Sequence, residues 1–211
     1  MVTIMLRTMI FIDYENFDIS LSSYYKSNNL PAVRLDYNKF PRKLTEYINP
    51  DFALVKTFMF VPKPDEFLMQ DPYLKSRYEW FDSIRTINNL TIIEGAHIAR
   101  PAPKLIREQM VIGDHSTYYI TEKGTDVNLT AHLLTKGFMN SYDVAVIISG
   151  DTDYIPVIEI LNTLGKSVIV AGVEGQNITK FRKLVDRQII LKDAFFKTCA
   201  LAPPKPQAKR S

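Results

Sequence analysis

Two apolar runs, Met9 to Ile12 and Val144 to Ile148, each give way abruptly to small and acidic residues, Asp13 after the first and Ser149-Gly150-Asp151 after the second. Runs of this length without polar alternation predict strands buried on both faces, as in a parallel sheet. The same reasoning predicts further strands over Phe52 to Val61, Leu90 to Glu94, Ser167 to Ala171 and Gln188 to Leu191. Between them, helices are predicted over Asn16 to Lys26, Tyr37 to Ile48, Tyr73 to Asn88, Asp126 to Phe138, Tyr154 to Leu164 and Ile178 to Val185. Asp36 is a candidate cap for the second helix, with Pro41 limiting its first turn. In the third, Tyr78, Phe81, Ile84 and Ile87 recur at helical spacing and predict the face turned to the sheet. Asn28 to Arg34 reads as a loop, Asn49-Pro50-Asp51 as a turn, and the proline-rich stretch Pro62 to Pro72 as a surface loop. Leu105 to Ile112 and Thr117 to Thr121, around Gly113-Asp114, read as an inserted β-hairpin.

This alternation predicts an α/β fold: a mostly parallel β-sheet, helices on both faces, right-handed crossovers, and the hairpin as an addition. In such sheets ligands bind outside the carboxyl ends of the strands, where the winding reverses. Asp13 and Asp151 both stand at such ends.

A chain of 211 residues with 46% hydrophobic and 23% charged residues can bury one sizeable core without disulfides or a structural metal. One domain over 1–200 is expected, with 201–211 a disordered, basic, proline-rich tail. The lone Cys199 has no internal partner, which fits a reducing compartment and a cytoplasmic address. The apolar start contains Arg7 and runs into Asp13 with no small-residue cleavage site, so it reads as a strand rather than a signal peptide. No apolar stretch approaches the roughly 18 residues of a membrane span. The net charge is +3, from 26 basic and 23 acidic residues. Lys205, Lys209 and Arg210 of the tail account for that excess, so any phosphate-binding surface on the body must be a local patch.

The candidate chemistry is carried by four acids: Asp13, Asp126, Asp151 and Asp153. Carboxylates brought together from three segments repel one another unless a cation neutralises them. Oxygen donors suit Mg²⁺ or Mn²⁺, which keep bound waters and can activate one of them for attack on a phosphodiester. The competing reading is that Ser149, Asp151 or Asp153 merely caps a helix. Asn16 either caps the first helix or holds a metal-bound water or a substrate phosphate. Ser149 and Gly150 form a small-residue turn that admits a close approach to the backbone. Lys123 either contacts phosphate or is a solvated surface lysine. Arg100, Lys104 and Arg107 beside the hairpin either track a phosphate backbone or form a solvated face.

In this order, Lys123-Gly124-Thr125-Asp126-Val127, then Tyr142 through Tyr154 (YDVAVIISGDTDY), then Gly165-Lys166-Ser167-Val168, the chain resembles the NYN domain, in particular its LabA-like or DUF88 branch of the PIN-like nucleases. FIDYEN around Asp13 adds to the match. The resemblance implies a PIN-like fold, Mg²⁺ or Mn²⁺, RNA as substrate, and Asp13, Asp126 and Asp151 as metal ligands with Asp153 and Asn16 in support. Relatives often carry a further acid six residues after the Asp126 position, where this chain has His132. Six helical residues rotate a side chain about 120° from Asp126, so His132 is assigned to substrate or to a supporting position, against an ordinary helix-surface histidine.

The expected activity is therefore a metal-dependent endoribonuclease acting on single-stranded or structured RNA, with Asp13, Asp126, Asp151 and Asp153 catalytic and Asn16, Lys123, Ser149, His132 and Arg107 on the substrate. The alternatives are a catalytically weak or inactive RNA-binding scaffold of the same fold, and a phosphatase using Asp151 as nucleophile. The phosphatase fits poorly, because Asp-x-Asp there follows the first strand, where Asp13 has only Glu15. No membrane partner is expected, and a homo-oligomer is left open.

Overall fold

In the computed structural model, which describes residues 5–202, the strands alternate between two cores. Met9, Phe11, Phe58, Phe60, Ala145, Ile147, Val168 and Val170 point to one. Their neighbours Ile10, Ile12, Met59, Val61, Val144, Val146, Ile148, Ile169 and Ala171 point to the other. Burial on both faces is why these strands are continuous apolar runs.

The elements are β1 (Leu6–Asp13), α1 (Tyr14–Ser27), α2 (Phe40–Ile48), β2 (Phe52–Pro64), α3 (Pro72–Ile84), β3 (Leu90–Pro101), β4 (Tyr118–Lys123), α4 (Thr125–Phe138), β5 (Val144–Ile148), α5 (Ile155–Thr163), β6 (Ser167–Val173), β7 (Arg187–Leu191) and α6 (Asp193–Thr198). The sheet order is β4-β3-β2-β1-β5-β6-β7. Every pairing is parallel except β3 with β4. The chain therefore winds outward from β1 through β2 and β3, then returns to start the other arm at β5. A fixed crossover hand puts the helices of the two arms on opposite faces. Residues of α1, α2 and α3 accordingly lie in one core, and those of α4 and α5 in the other. The reversal falls between β1 and β5, where a crevice opens at the strand ends. No helix among the described residues is long and apolar enough to cross a membrane.

Three expectations need correction. Leu105 to Ile112 is not a strand: it holds a 3₁₀ turn over Arg107–Gln109, in which the Gln109 side chain accepts the Ile106 N–H at 2.9 Å. The polar Arg107-Glu108-Gln109 triplet offers no alternation, and Lys104 just before it has a φ of 74°. The antiparallel partner of β4 is instead the far half of β3, Ala96 to Pro101. Second, β2 runs on to Pro64 through part of the expected loop. Pro62 and Pro64 lie past Phe60, where pairing with β1 ends, and a strand with one open side tolerates residues lacking an N–H. Third, Ile178 to Val185 forms only a 3₁₀ turn over Thr179–Phe181, too short a segment to propagate a helix. It anchors Ile178 and Phe181 in the core beside α5.

Helix α2 starts later than expected, at Phe40, with Pro41 in its first turn. Asp36 caps the preceding turn by accepting the Asn38 N–H at 2.9 Å. Helix α6, unexpected from the sequence, buries Phe195 and Phe196 against the α1 side of the sheet. The expected tail falls almost wholly outside the described residues.

Candidate functional site

Parallel pairing sets Ile12 of β1 beside Ile148 of β5, so the residues that follow, Asp13 and Ser149, leave the sheet side by side. Asp13 is 5% exposed. Its Oδ1 accepts the Asn16 N–H at 3.2 Å and so caps α1. Its Oδ2 accepts the Ser149 hydroxyl at 2.9 Å and lies 3.2 Å from the Tyr154 hydroxyl oxygen. That phenol donates to Asp126 Oδ1, in the first turn of α4, at 2.6 Å. One phenol proton cannot serve both carboxylates. It follows the shorter contact, and the Asp13 contact becomes a hydrogen bond when Asp13 itself carries a proton. Burial pushes the Asp13 carboxyl up to about 6, helped by the Asp126 charge and opposed by the bonds from Asn16, Ser149 and Tyr154. Burial and the two carboxylates together hold the Tyr154 phenol far above its ordinary range.

Asp151 joins through Ser149, whose hydroxyl oxygen accepts the Asp151 N–H at 3.0 Å. Asp151 Oδ1 accepts the Asp153 N–H at 2.9 Å and caps the 3₁₀ turn over Thr152–Tyr154. Capping and metal binding are thus compatible here. An ionised carboxylate offers about four acceptor positions; Asp126 and Asp151 each use one, and Asp13 up to three. Asp13 and Asp126 thus meet at the Tyr154 hydroxyl, whereas Asp151 is tied in through its backbone N–H, and the three carboxylates do not all come within 4.8 Å of one another. As hard oxygen donors they suit Mg²⁺ or Mn²⁺ in kind, and holding one ion together requires their side chains to close in.

Asn16 is fixed by two donors on one oxygen, the Gly150 N–H at 2.9 Å and the Gln176 side-chain amide at 2.6 Å. Its Oδ1 is thereby occupied, and its amide N–H groups remain for an anionic oxygen. Gln176 is in turn held by the Val173 N–H at 3.1 Å. It also explains Gly150, since a β-carbon there would fall 2.6 Å from the Gln176 amide nitrogen. The small-residue turn makes room for Gln176.

Of the other anticipated residues, Ser149 belongs to this network, whereas His132, Lys123 and Arg107 make no hydrogen bond to it. Ser149 is buried with both its bonds internal, so it positions Asp13 and Asp151 from beneath. His132 donates from Nδ1 to the Asn128 carbonyl at 2.9 Å, and its ring centre lies 5.5 Å from both Phe58 and Phe60. It is packed on the β2 side of the sheet by these two rings. Asp153 and Lys123 are exposed. Arg107 faces Asp65 at 3.9 Å from the β3–β4 connection, and Arg100 and Lys104 are exposed nearby.

Tyr154 and Gln176 escaped the sequence reading. So did a cluster of Glu15, His97 and Glu122, whose nearest ligand atoms all lie within 4.8 Å of one another. A hydrogen bond with His97 draws the Glu15 carboxyl down, whereas burial and the hydrogen bond shared with Glu15 push Glu122 up to about 7.

No curated protein matches the chain. Among solved structures, it is similar to a protein of unknown function from Vibrio parahaemolyticus, with 17% identity, a TM-score of 0.56, and coverage of 93% of this chain and 98% of that one. At that identity the likeness speaks for the fold alone. The NYN domain model matches residues 7–192, a span that includes β1, β5 and α4 and with them Asp13, Asp151 and Asp126. The chain belongs to the NYN domain family, within the PIN-like nuclease superfamily.

Proposed function

We propose that the protein is a metal-dependent endoribonuclease of the LabA-like (DUF88) branch, with Asp13, Asp126 and Asp151 holding Mg²⁺ or Mn²⁺. The observation that carries this reading is the Tyr154 hydroxyl, which stands between Asp126 of α4 and Asp13 of β1 within hydrogen-bond reach of both. A bound divalent ion would supply charge stabilisation at phosphate and lower the pKa of a water. The chain's own part is to place the substrate and move protons. Asn16, its oxygen held by Gly150 and Gln176, directs its amide N–H groups at a phosphate oxygen. Lys123, at the end of β4, supplies a neutralising charge. Asp153 is exposed beside Asp151, where it accepts a proton from attacking water. The lone buried Cys199 supports a cytoplasmic address.

The test is cleavage of labelled RNAs and single-stranded DNAs with Mn²⁺, Mg²⁺ or EDTA, wild type against Asp151→Asn. Metal-dependent cutting of RNA that disappears in the variant supports the reading; equal cutting by a highly purified variant overturns it.

One observation favours a second reading, the RNA-binding scaffold without turnover. His132 stands where relatives often have an acid, and it is turned against Phe58 and Phe60. RNA binding that survives EDTA, with no cutting under any divalent ion, selects this reading.

A further inference from the structure

Beside the aspartates, but sharing none of them, Glu15, His97 and Glu122 converge from three elements. Glu15 lies in the first turn of α1. His97 on β3 and Glu122 on β4 are directly opposed in the antiparallel register, which brings their side chains onto one face as neighbours. His97 Nε2 lies 3.2 Å from Glu15 Oε2. We propose that Glu15, His97 and Glu122 form a second cation site that binds a divalent transition ion, of the Mn²⁺ or Zn²⁺ kind, through the imidazole and two carboxylates.

Four observations support it. First, one potential ligand atom from each residue lies within 4.8 Å of the others, a spread that small side-chain adjustments contract onto one ion of ordinary Zn–N and Zn–O distances. Second, the groups acting on the Glu122 carboxyl are Glu15, Asp126 and Thr125, none of them a cation. Glu15 has the Arg77 guanidinium near it besides His97, and two carboxylates that act on each other with one imidazole still leave an arrangement that a divalent ion completes. Third, the Thr125 hydroxyl is 1% exposed, makes no hydrogen bond of normal geometry among the described residues, and has the Glu122 carboxyl as its acidic neighbour. A buried hydroxyl without a partner costs free energy, and an ion or its bound water at this point would satisfy it. Fourth, Glu15 and His97, though not Glu122, border a cavity of about 150 Å³ that Tyr14, Leu74, Arg77 and Tyr78 also line, which gives an ion a way in.

The donor set also distinguishes the two sites. The aspartate site is all oxygen and suits Mg²⁺, whereas imidazole favours the later transition ions. Bound there, the ion would tie α1, β3 and β4 together at the open edge of the sheet, and its place is independent of whether RNA is cut.

The experiment is Zn²⁺ and Co²⁺ titration in excess Mg²⁺, followed by calorimetry and by the visible absorption of Co²⁺, on wild type, His97→Ala, Glu122→Gln and Asp151→Asn. The proposal expects one equivalent bound in wild type and in Asp151→Asn. Even an outer partner of a ligand is worth about tenfold to a hundredfold in affinity, so His97→Ala and Glu122→Gln should each weaken binding by at least about that factor and change the Co²⁺ spectrum. Circular dichroism checks that each variant is folded, and Glu122→Gln, at an exposed position, decides if His97→Ala is not. No binding in wild type, undiminished binding in Glu122→Gln, or binding lost only in Asp151→Asn overturns the second site. None of these outcomes depends on nuclease activity, so this proposal can fail while the endoribonuclease reading stands, and the reverse.

Discussion

The Tyr154 hydroxyl oxygen sits 2.6 Å from Asp126 Oδ1, and this one bond ties the start of α4 to the start of α5. The same oxygen lies 3.2 Å from Asp13, so the phenol separates two carboxylates that would otherwise face each other. Tyr154→Phe keeps the ring, which is buried in the core beside α5, and removes only this donor. Losing a hydrogen bond to a charged, partly buried acceptor costs about 1–3 kcal/mol. We expect that loss in urea unfolding with EDTA, and a smaller one in saturating Mn²⁺, because an ion bound to Asp13 and Asp126 replaces the lost neutralisation. Equal losses in both conditions would place the ion elsewhere.

Asp13 should make the metal-free fold weaken as pH rises. Its carboxyl stands at about 6 in the fold against an ordinary 3.8, so between those values the folded state binds more protons than the unfolded one. Stability attached to this group is fully present below about pH 4 and is lost as pH rises through 6, by about 3 kcal/mol in all. Other acids titrate in the same range, which makes the difference between wild type and Asp13→Asn the quantity to measure. Denaturant unfolding in EDTA from pH 4 to 7.5 should show wild type losing stability relative to the variant by that order. A flat difference would mean that Asp13 is not penalised by burial.

The central strands and the positions of two acids were legible in the sequence because two-sided burial writes an unbroken apolar run, and the residue that ends the run lies at the sheet's edge. Met9 to Ile12 with Asp13, and Val144 to Ile148 with Asp151, are such cases. Asp126 was legible only through its motif. Tyr154 closes the neighbouring motif, yet a buried tyrosine ordinarily reads as core, and its ring is core; its hydroxyl alone reaches the acids. Gln176 gives no local signal, since its partner Asn16 is 160 positions away. The Glu15, His97 and Glu122 cluster depends on the β3–β4 register, and the expected hairpin assigned β4 the wrong partner. The edge strand was misread because Gly95 looks like a strand end, whereas in the fold it lies inside β3.

Asn16 should matter for turnover more than for stability. Its oxygen is engaged by Gly150 and Gln176, leaving its N–H groups as the donors that a phosphate oxygen would meet. If cleavage is established, Asn16→Ala should lower kcat by about a hundredfold, the typical effect of removing one donor aimed at developing negative charge. Gln176→Ala should give a smaller loss in the same direction, by freeing the Asn16 side chain to turn. Single-turnover kinetics with saturating RNA separates this from weakened binding; a change in KM alone would make Asn16 a binding residue.

Gly95 should be intolerant of even one methyl group, because there the sheet and α4 meet without a side chain between them. A β-carbon on Gly95 would lie 2.2 Å from Thr125 Oγ1, 2.7 Å from the Thr125 nitrogen and 2.9 Å from the Lys123 carbonyl oxygen. Two of these atoms are backbone, so no rotamer change relieves the clash, and β4 or the start of α4 must move. Overpacking of this kind typically costs about 1–3 kcal/mol. The displaced segment carries Glu122, Lys123 and Asp126, so the damage extends beyond stability. Gly95→Ala should lower the unfolding midpoint and weaken Mn²⁺ binding together, whereas a change at an exposed position such as Lys180→Ala should do neither. Thermal melts with and without Mn²⁺, read beside a metal titration, check both effects. A Gly95→Ala protein with wild-type stability and metal affinity would show that α4 can shift without carrying Asp126 away from Tyr154.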